Sequence, residues 1–390
     1  MKASKSDNPI ILLLQQSAEQ KKVSLFHLMW TITTLLLLQS CAAPGERRAT
    51  NVHPGVATIF SRFEVEGSPG ATVMVIRDGA VLHSAGYGVA DLSNGTALSP
   101  ATPVRLASVS KAFTAMAIVI LEERNELTFD AYVTEWVPEL ARFPGITVRH
   151  LLNHTSGLPD YYDDGSPLEE IAAAAERERP FQNAEAISLY KDWGKPVFSP
   201  GERFDYNNAG YEVLALIVER SSGVTFGQFL ETEIFTPLKM NTAVVRDLPT
   251  TRIPDRAIGY APSRDGVKWE ESDDNWANWM VGAGGIYAST RDLYQWDQAL
   301  YRWAEAGDRT DEAFVPARLN DGTESEYGFG WNLSARLGCE SISHEGDWVG
   351  FRTALLRFPE QRLTVIVLSN ASANVSQLAE SVAALFLEEG

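Results

Sequence analysis

Two cysteines in 390 residues cannot build a disulfide framework, so the small stapled scaffolds of secreted proteins are excluded. Positive charge is also scarce: 33 Lys+Arg stand against 51 Asp+Glu, a formal net charge of -18. A nucleic-acid binder needs a cationic surface to displace counterions, and this chain lacks it. No internal repeat of about 20 to 50 residues is visible, which argues against solenoids and propellers. There is no G-x-S-x-G, so the nucleophile elbow of the α/β-hydrolases is missing. Histidine is sparse, at six residues. His150 and His154 have the i, i+4 spacing of a helical zinc pair, but Leu151 stands where the general-base glutamate should follow, so the pair reads as structural. Gly282, Gly284 and Gly285 lack the strand and spacing of a dinucleotide loop and read as a tight turn. What is present is a globular composition, 45% apolar and 22% charged, which excludes wholesale disorder. The length suggests roughly two to three domains, or one large domain with an insertion.

No apolar run reaches the roughly 20 residues that a spanning helix wants. Lys21 and Lys22 precede a mostly apolar run of 16 residues, Val23 to Leu38, which reads as a signal-peptide core or a short anchor. It ends in Leu38-Gln39-Ser40-Cys41, and this ending resembles a bacterial lipoprotein signal with Cys41 as the lipidated residue. Gln39 departs from that pattern, where a smaller or branched residue is usual. Plain cleavage after Ala43 and an uncleaved anchor are the alternatives. The expectation is an exported, periplasmic protein held to the membrane by its N-terminus. Residues 41–55 read as a tether, and 56–390 as the folded part.

Along the folded part, a helix is expected within Asn51–Phe63. A strand follows at Ala71–Ile76, with Asp78-Gly79 as a hairpin turn and a return strand at Val81–Gly88. A helical pattern spans Ser108–Glu123. From about Leu127 to Met280 the chain reads as mostly helical and loop-rich, with Asn208–Arg220 its clearest helix. Another helix starts at Thr290. Strands return at Gly328–Leu333, Ser341–His344, Phe351–Phe358 and Leu363–Leu368, and Val375–Leu387 closes the chain as a helix. Strands at both ends with helices between predict one antiparallel sheet, hence an α+β fold with a helical insertion.

One constellation carries chemistry. Ser108-Val109-Ser110-Lys111 places a serine one turn before a lysine at the start of an apolar helix, on a shared face. A serine hydroxyl needs a base, and a lysine can serve if burial lowers its pKa toward neutrality. The Ser108 amide at the helix start is available to an oxyanion. Further on, Tyr206-Asn207-Asn208 follows Pro200-Gly201, and His344-Glu345-Gly346 closes a predicted strand. S-x-x-K, Y-x-N and H-x-G in this order, roughly 100 and 140 residues apart, resemble the penicillin-recognising serine hydrolases. The closer likeness is to the branch of class C β-lactamases, D-Ala-D-Ala carboxypeptidases, D-aminopeptidases and β-lactamase-like esterases. The flanks agree: His150-Leu-Leu-Asn-His154-Thr-Ser-Gly157-Leu-Pro159, Gly284-Gly285-Ile-Tyr-Ala-Ser289-Thr290 and Tyr327-Gly-Phe-Gly-Trp331.

The resemblance implies an α/β/α sandwich and an acyl-enzyme mechanism without metal or cofactor, on a small-molecule, peptide or ester substrate. Ser108 would be the nucleophile and Lys111 its base. Tyr206 would relay a proton to the leaving group. Asn208 would bond Lys111 and the substrate; its own position also suits an N-cap. His344 would line the opposite wall and polarise Tyr206 or the substrate. Gly346 would let a substrate lie close along the strand, and Asp347 would supply a second oxyanion amide. A catalytically silent sensor of peptidoglycan or β-lactams on the same fold is the alternative. The β-lactamases of the branch usually carry K-T-G where this chain has H-E-G. The same wall carries Glu345 and Asp347; if Asp347 points inward, a substrate carboxylate about 5 Å away would feel about 3 kcal/mol of repulsion at an effective dielectric of 20. Arg352 is the nearby cation that could fold back to offset it. β-Lactams are accordingly expected to be poor substrates and neutral short-chain esters better ones.

Overall fold

The computed structural model describes residues 52–163, 166–175, 180–306 and 309–388. The signal-like segment, Cys41 and the tether as far as Asn51 lie outside the described residues. Six helices and the six strands of the main sheet position the site. The helices are α1 (Pro54–Phe60), α2 (Ser110–Glu123), α3 (Val148–Leu152), α4 (Asn208–Ser222), α5 (Thr290–Ala306) and α6 (Val375–Leu387). The strands are β1 (Ala71–Arg77), β2 (Ala80–Tyr87), β3 (Asn332–Arg336), β4 (Cys339–Trp348), β5 (Phe351–Phe358) and β6 (Leu363–Ser369). They form one antiparallel sheet in the order β3-β4-β5-β6-β1-β2. The N-terminal hairpin thus pairs with the last strand, Val73 opposite Val367, across nearly the whole chain.

Side chains alternate across a strand, and here both faces are buried. Val73 and Val75 of β1 pack with Val365 and Val367 of β6 beneath α1 and α6, against Phe60, Val382 and Phe386. Met74 and Ile76 point the other way, into the larger core that holds Ile366, Phe113 of α2 and Trp296 of α5. Helices on both faces of one sheet make the expected sandwich, and the resemblance was right about it. The Asp78-Gly79 turn has φ of 51° and 75°, the doubly left-handed turn that matches strand twist.

Differences from the sequence reading have physical causes. The expected strand Ser341–His344 runs on to Trp348, because β5 keeps pairing with it through Asp347↔Arg352 and Trp348↔Phe351. His344 therefore sits mid-strand rather than at an end. The expected strand Gly328–Leu333 begins only at Asn332. Gly330 takes φ +78°, and a Cβ there would lie 2.8 Å from the Lys111 carbonyl, so this stretch is a turn packed on the start of α2. The expected helix from Ser108 starts with a 3-10 turn, Ala107–Val109, and becomes α-helical at Ser110. The 127–280 stretch is loop-rich, as expected, but its helices are short apart from α4, and it also holds the short strands Val244–Val245, Tyr260–Pro262 and Trp269–Glu271.

Candidate active site

Ser108 is set by the turn that carries it. Ala107 just before it has φ +48°, a left-handed conformation costly for a residue with a Cβ. The turn is held against β4 and β5: Thr353 Oγ1 donates to the Leu106 carbonyl at 2.7 Å. Gly346 makes that contact possible. A Cβ on it would stand 2.3 Å from the Leu106 carbonyl oxygen and 2.2 Å from Thr353 Oγ1. This corrects the expectation for Gly346: the space its missing Cβ leaves is filled by the serine-bearing turn, not reserved for a substrate.

Lys111 follows one turn on and is wholly buried. Its Nζ donates to Ser108 Oγ at 3.2 Å, Asn208 Oδ1 at 2.8 Å and the Ala283 carbonyl at 3.1 Å. Burial lowers its pKa to about 7, and the Asp160 and Glu212 carboxyls hold it from falling further. The ammonium also lies 4.8 Å from the centre of the Tyr206 ring. Tyr206 is 39% exposed as a residue. Its hydroxyl is nonetheless pushed above the ordinary tyrosine range by the surrounding protein, against a bond with Ser108 that lowers it. Tyr206 is thus a protonated phenol at neutral pH, and Lys111 is the group able to be a free base there.

Asn208 gives its Oδ1 to Lys111, and a neighbour caps the helix. The N-cap of α4 is Asn207, whose side chain accepts from the Gly210 amide at 2.7 Å. Asn208 is the first helical residue, so its expected capping role belongs to Asn207. Its amide donates to Asp160 Oδ2 at 2.6 Å. Burial raises Asp160 to about 6. The predicted glycine loop supplies the Ala283 carbonyl, and Arg105 beneath it donates to the Gly284 carbonyl and Asn278.

His344 lines the opposite wall, as expected, but its ring nitrogens are both committed. Nδ1 faces the Glu345 carbonyl at 2.7 Å and must donate, so Nε2 accepts from the Tyr327 hydroxyl at 2.9 Å. Burial lowers its pKa to about 3, with the nearby Lys111 adding to the effect. It is a neutral, fixed wall, and no ring nitrogen is left to polarise Tyr206; that part of the expectation is corrected. Asp347 is mostly exposed and pairs with Arg352 at 3.0 Å, while Glu345 pairs with Arg336 at 2.7 Å. Arg352 does fold back, so the like-charge repulsion expected at this wall is largely offset. The backbone of Asp347 belongs to a stretch of β4 beyond Ser343↔Asn332, where pairing with β3 has ended.

Two residues, Glu212 and Asp160, escaped the sequence reading, and a third, His154, lies closer to the site than expected. Glu212 shares a face of α4 with Asn208, an i, i+4 signal that was available. Asp160 immediately follows the His150–Pro159 segment. His154 is structural in kind, yet it packs 4.3 Å from the Tyr206 ring and accepts from the Asn207 amide. His150 serves elsewhere, in a capping box with Thr147 at the start of α3.

Two cavities meet at Ser108 and Tyr206. One, of about 390 Å³, is walled by Tyr162, Met280, Trp348 and Glu212. The other, of about 470 Å³, is walled by His344, Gly346, Arg352 and Asn374. Asp347 borders both. A nucleophile with a buried base, set between two clefts, is laid out to divide a substrate in two.

The Beta-lactamase family model matches residues 56–387. The chain belongs to that family. A penicillin-binding protein of Bacillus subtilis (strain 168) is 35% identical over 335 residues, covering 82% of this chain and 72% of its own. A D-aminopeptidase of Brucella anthropi is 31% identical over 320 residues, covering 80% of this chain. The chain spans only 58% of that D-aminopeptidase's length. Among solved structures, the octameric penicillin-binding protein homologue from Pyrococcus abyssi superposes with a TM-score of 0.71 at 26% identity, covering 85% of this chain and 76% of its own. This β-lactamase-family chain is a serine hydrolase.

Proposed function

We propose that the protein hydrolyses an amide or ester bond of a small peptide or ester through an acyl-Ser108 intermediate. The observation that carries this is the wholly buried Lys111, bonded at once to Ser108 Oγ and Asn208 Oδ1. Neutral Lys111 takes the Ser108 proton as Oγ bonds to the scissile carbonyl carbon. The carbonyl oxygen gains the charge and is held by the amides of Ser108 and Asp347. As the carbon–leaving-group bond breaks, the proton passes from Lys111 through the Tyr206 phenol to the departing nitrogen or oxygen. Water then attacks the acyl carbon, giving its proton to Lys111, and Ser108 leaves with a proton restored. A relative named a D-aminopeptidase supports peptide-type amides. We also infer that the chain is exported and held at the membrane by a lipid on Cys41, since a cell-envelope substrate fits such a placement.

The test is labelling with a fluorophosphonate probe followed by a substrate panel: p-nitrophenyl acetate, nitrocefin, D-Ala-D-Ala peptides and D-amino-acid anilides. Intact mass should rise by one adduct located on Ser108, and Ser108→Ala should abolish both labelling and turnover. Turnover at the wild-type rate in Ser108→Ala would sink the mechanism.

A further inference from the structure

The hydrolytic steps require the Tyr206 hydroxyl to meet the departing group. Tyr206 is an exposed loop residue just before α4, so no helix or strand of its own aims it. What aims it is the chain on either side. The Asp205 amide donates to the His154 carbonyl at 2.8 Å, and the Asn207 amide donates to His154 Nδ1 at 3.0 Å. Both sequence neighbours of Tyr206 are thus tied to one residue, once through its backbone and once through its ring. The His154 ring also lies 4.3 Å from the Tyr206 ring, centre to centre. Two more bonds lace the same segments together. The Gly201 amide donates to the Thr155 carbonyl at 2.8 Å, and Asn207 Nδ2 donates to the Leu158 carbonyl at 2.7 Å.

His154 holds this place against its own preferences. Its φ is +57°, in the left-handed region that is costly for a residue with a Cβ. Its side chain is buried. Burial, with Lys111 and His344 adding to it, holds the ring well below the ordinary histidine range, so it is neutral. Nδ1 accepts a backbone N–H, so the ring proton is on Nε2. Nε2 has no hydrogen-bond partner among the described residues. A strained backbone and an unsatisfied buried donor persist only where the surrounding structure fixes them. Here the two tethers to residues 205 and 207 do so.

We propose that His154 is the positioning residue of the proton relay: it fixes the backbone on both sides of Tyr206, so that the phenol stands at the leaving group. The proposal rests on the hydrolase reading above and adds a residue to it. His154 acts through Tyr206 and not on the substrate.

The experiment varies the leaving group. p-Nitrophenolate departs as a stable anion, whereas phenolate is a stronger base and gains more from a proton. The quantity measured is kcat/KM, which reports acylation, for p-nitrophenyl acetate and phenyl acetate. In His154→Ala it should fall at least about tenfold further on phenyl acetate than on p-nitrophenyl acetate, and Tyr206→Phe should show the same bias. His154→Asn tolerates the left-handed backbone and places an oxygen where Nδ1 stands, so it should keep the wild-type ratio. Adding His154→Ala to Tyr206→Phe should bring no further leaving-group dependence, because the relay is already gone. Because His154→Ala could unfold, a second measurement reads the wild-type ring. Nitrogen NMR at pH 7, with His154 assigned by its absence from His154→Asn, should find a neutral imidazole protonated on Nε2. A proton on Nδ1 overturns the tether to Asn207 and the proposal. Equal losses on both acetates in folded His154→Ala would show a merely structural residue and overturn it too, as would His154→Asn behaving like His154→Ala. Tyr206→Phe without the leaving-group bias removes the relay itself, and the role of His154 with it. Wild-type protein that neither labels with the fluorophosphonate nor cleaves either acetate overturns the hydrolase reading first.

Discussion

At the scale of single residues, the site works by opposing pKa shifts of buried groups. Burial drives Lys111 down to about 7 and Glu212 up to about 8, while Tyr206 is held protonated. A general base must be deprotonated to act, so the acylation rate should rise with pH through an ionisation near 7 and level off above it. The sign follows from the amine: below its pKa it is an ammonium and cannot accept the serine proton. In Lys111→Arg the guanidinium stays charged, so that limb should vanish and kcat/KM should fall by at least about a hundredfold, within the usual range for losing a general base. Stopped-flow acylation from pH 5.5 to 9 measures both. If Lys111→Arg keeps the wild-type profile, the base is another group, with Tyr206 next in line.

At the scale of elements, the site depends on how two strands and a turn fit together. Gly346 of β4 touches the Leu106 carbonyl and Thr353 of β5. Gly346→Ala must push these apart, at about 1–3 kcal/mol for an overpacked contact. It should lower the urea midpoint, and it should cut kcat at least tenfold because Ser108 rides on the displaced turn. Unchanged midpoint and kcat would show the contact to be slack. A second test concerns α1, packed on the outer face of the sheet. His83 of β2 is fully buried, accepts from the His53 amide at 3.0 Å, and is lowered to about 4, chiefly by burial and then by His53. The unfolded chain therefore binds a proton at pH values where the folded one does not. Stability should decline as pH falls from about 6.5 to about 4, by at most about 3 kcal/mol from this group. Urea melts at pH 7 and 4.5 should show a smaller loss in His83→Gln. An equal loss in both proteins would assign the acid sensitivity to other groups.

At the scale of the whole molecule, the four central and N-terminal strands β1, β2, β5 and β6 were legible because they announce themselves locally, whereas the bounds of β3 and β4 depend on their pairing. Val73, Val365 and their neighbours are β-branched runs bounded by turns, and Asp78-Gly79 marks its hairpin. The three motifs were legible because a nucleophile and its base must be one helical turn apart. The rest depends on contacts distant in sequence. Nothing in H-E-G reveals that Tyr327 occupies His344, or that Leu106 fills the place of a Gly346 Cβ. Glu212 becomes a wall of the active site only once Tyr161 and Tyr162 are folded over it. The placement of the protein in the cell rests on the first forty-one residues and is argued from sequence pattern. Lys21 and Lys22, an apolar run of 16 residues and a small residue before Cys41 are features shared with a lipoprotein signal, with Gln39 the departure. One acyl chain binds a membrane only marginally, so a stable anchor takes more than one. Cys41 modified by several chains should therefore hold the full-length protein in the membrane fraction through a high-salt wash. Cys41→Ala should release it into the soluble periplasmic fraction with its hydrolase activity intact, since the folded part begins beyond the tether. Wild-type protein recovered in the soluble fraction would refute lipidation while leaving export standing.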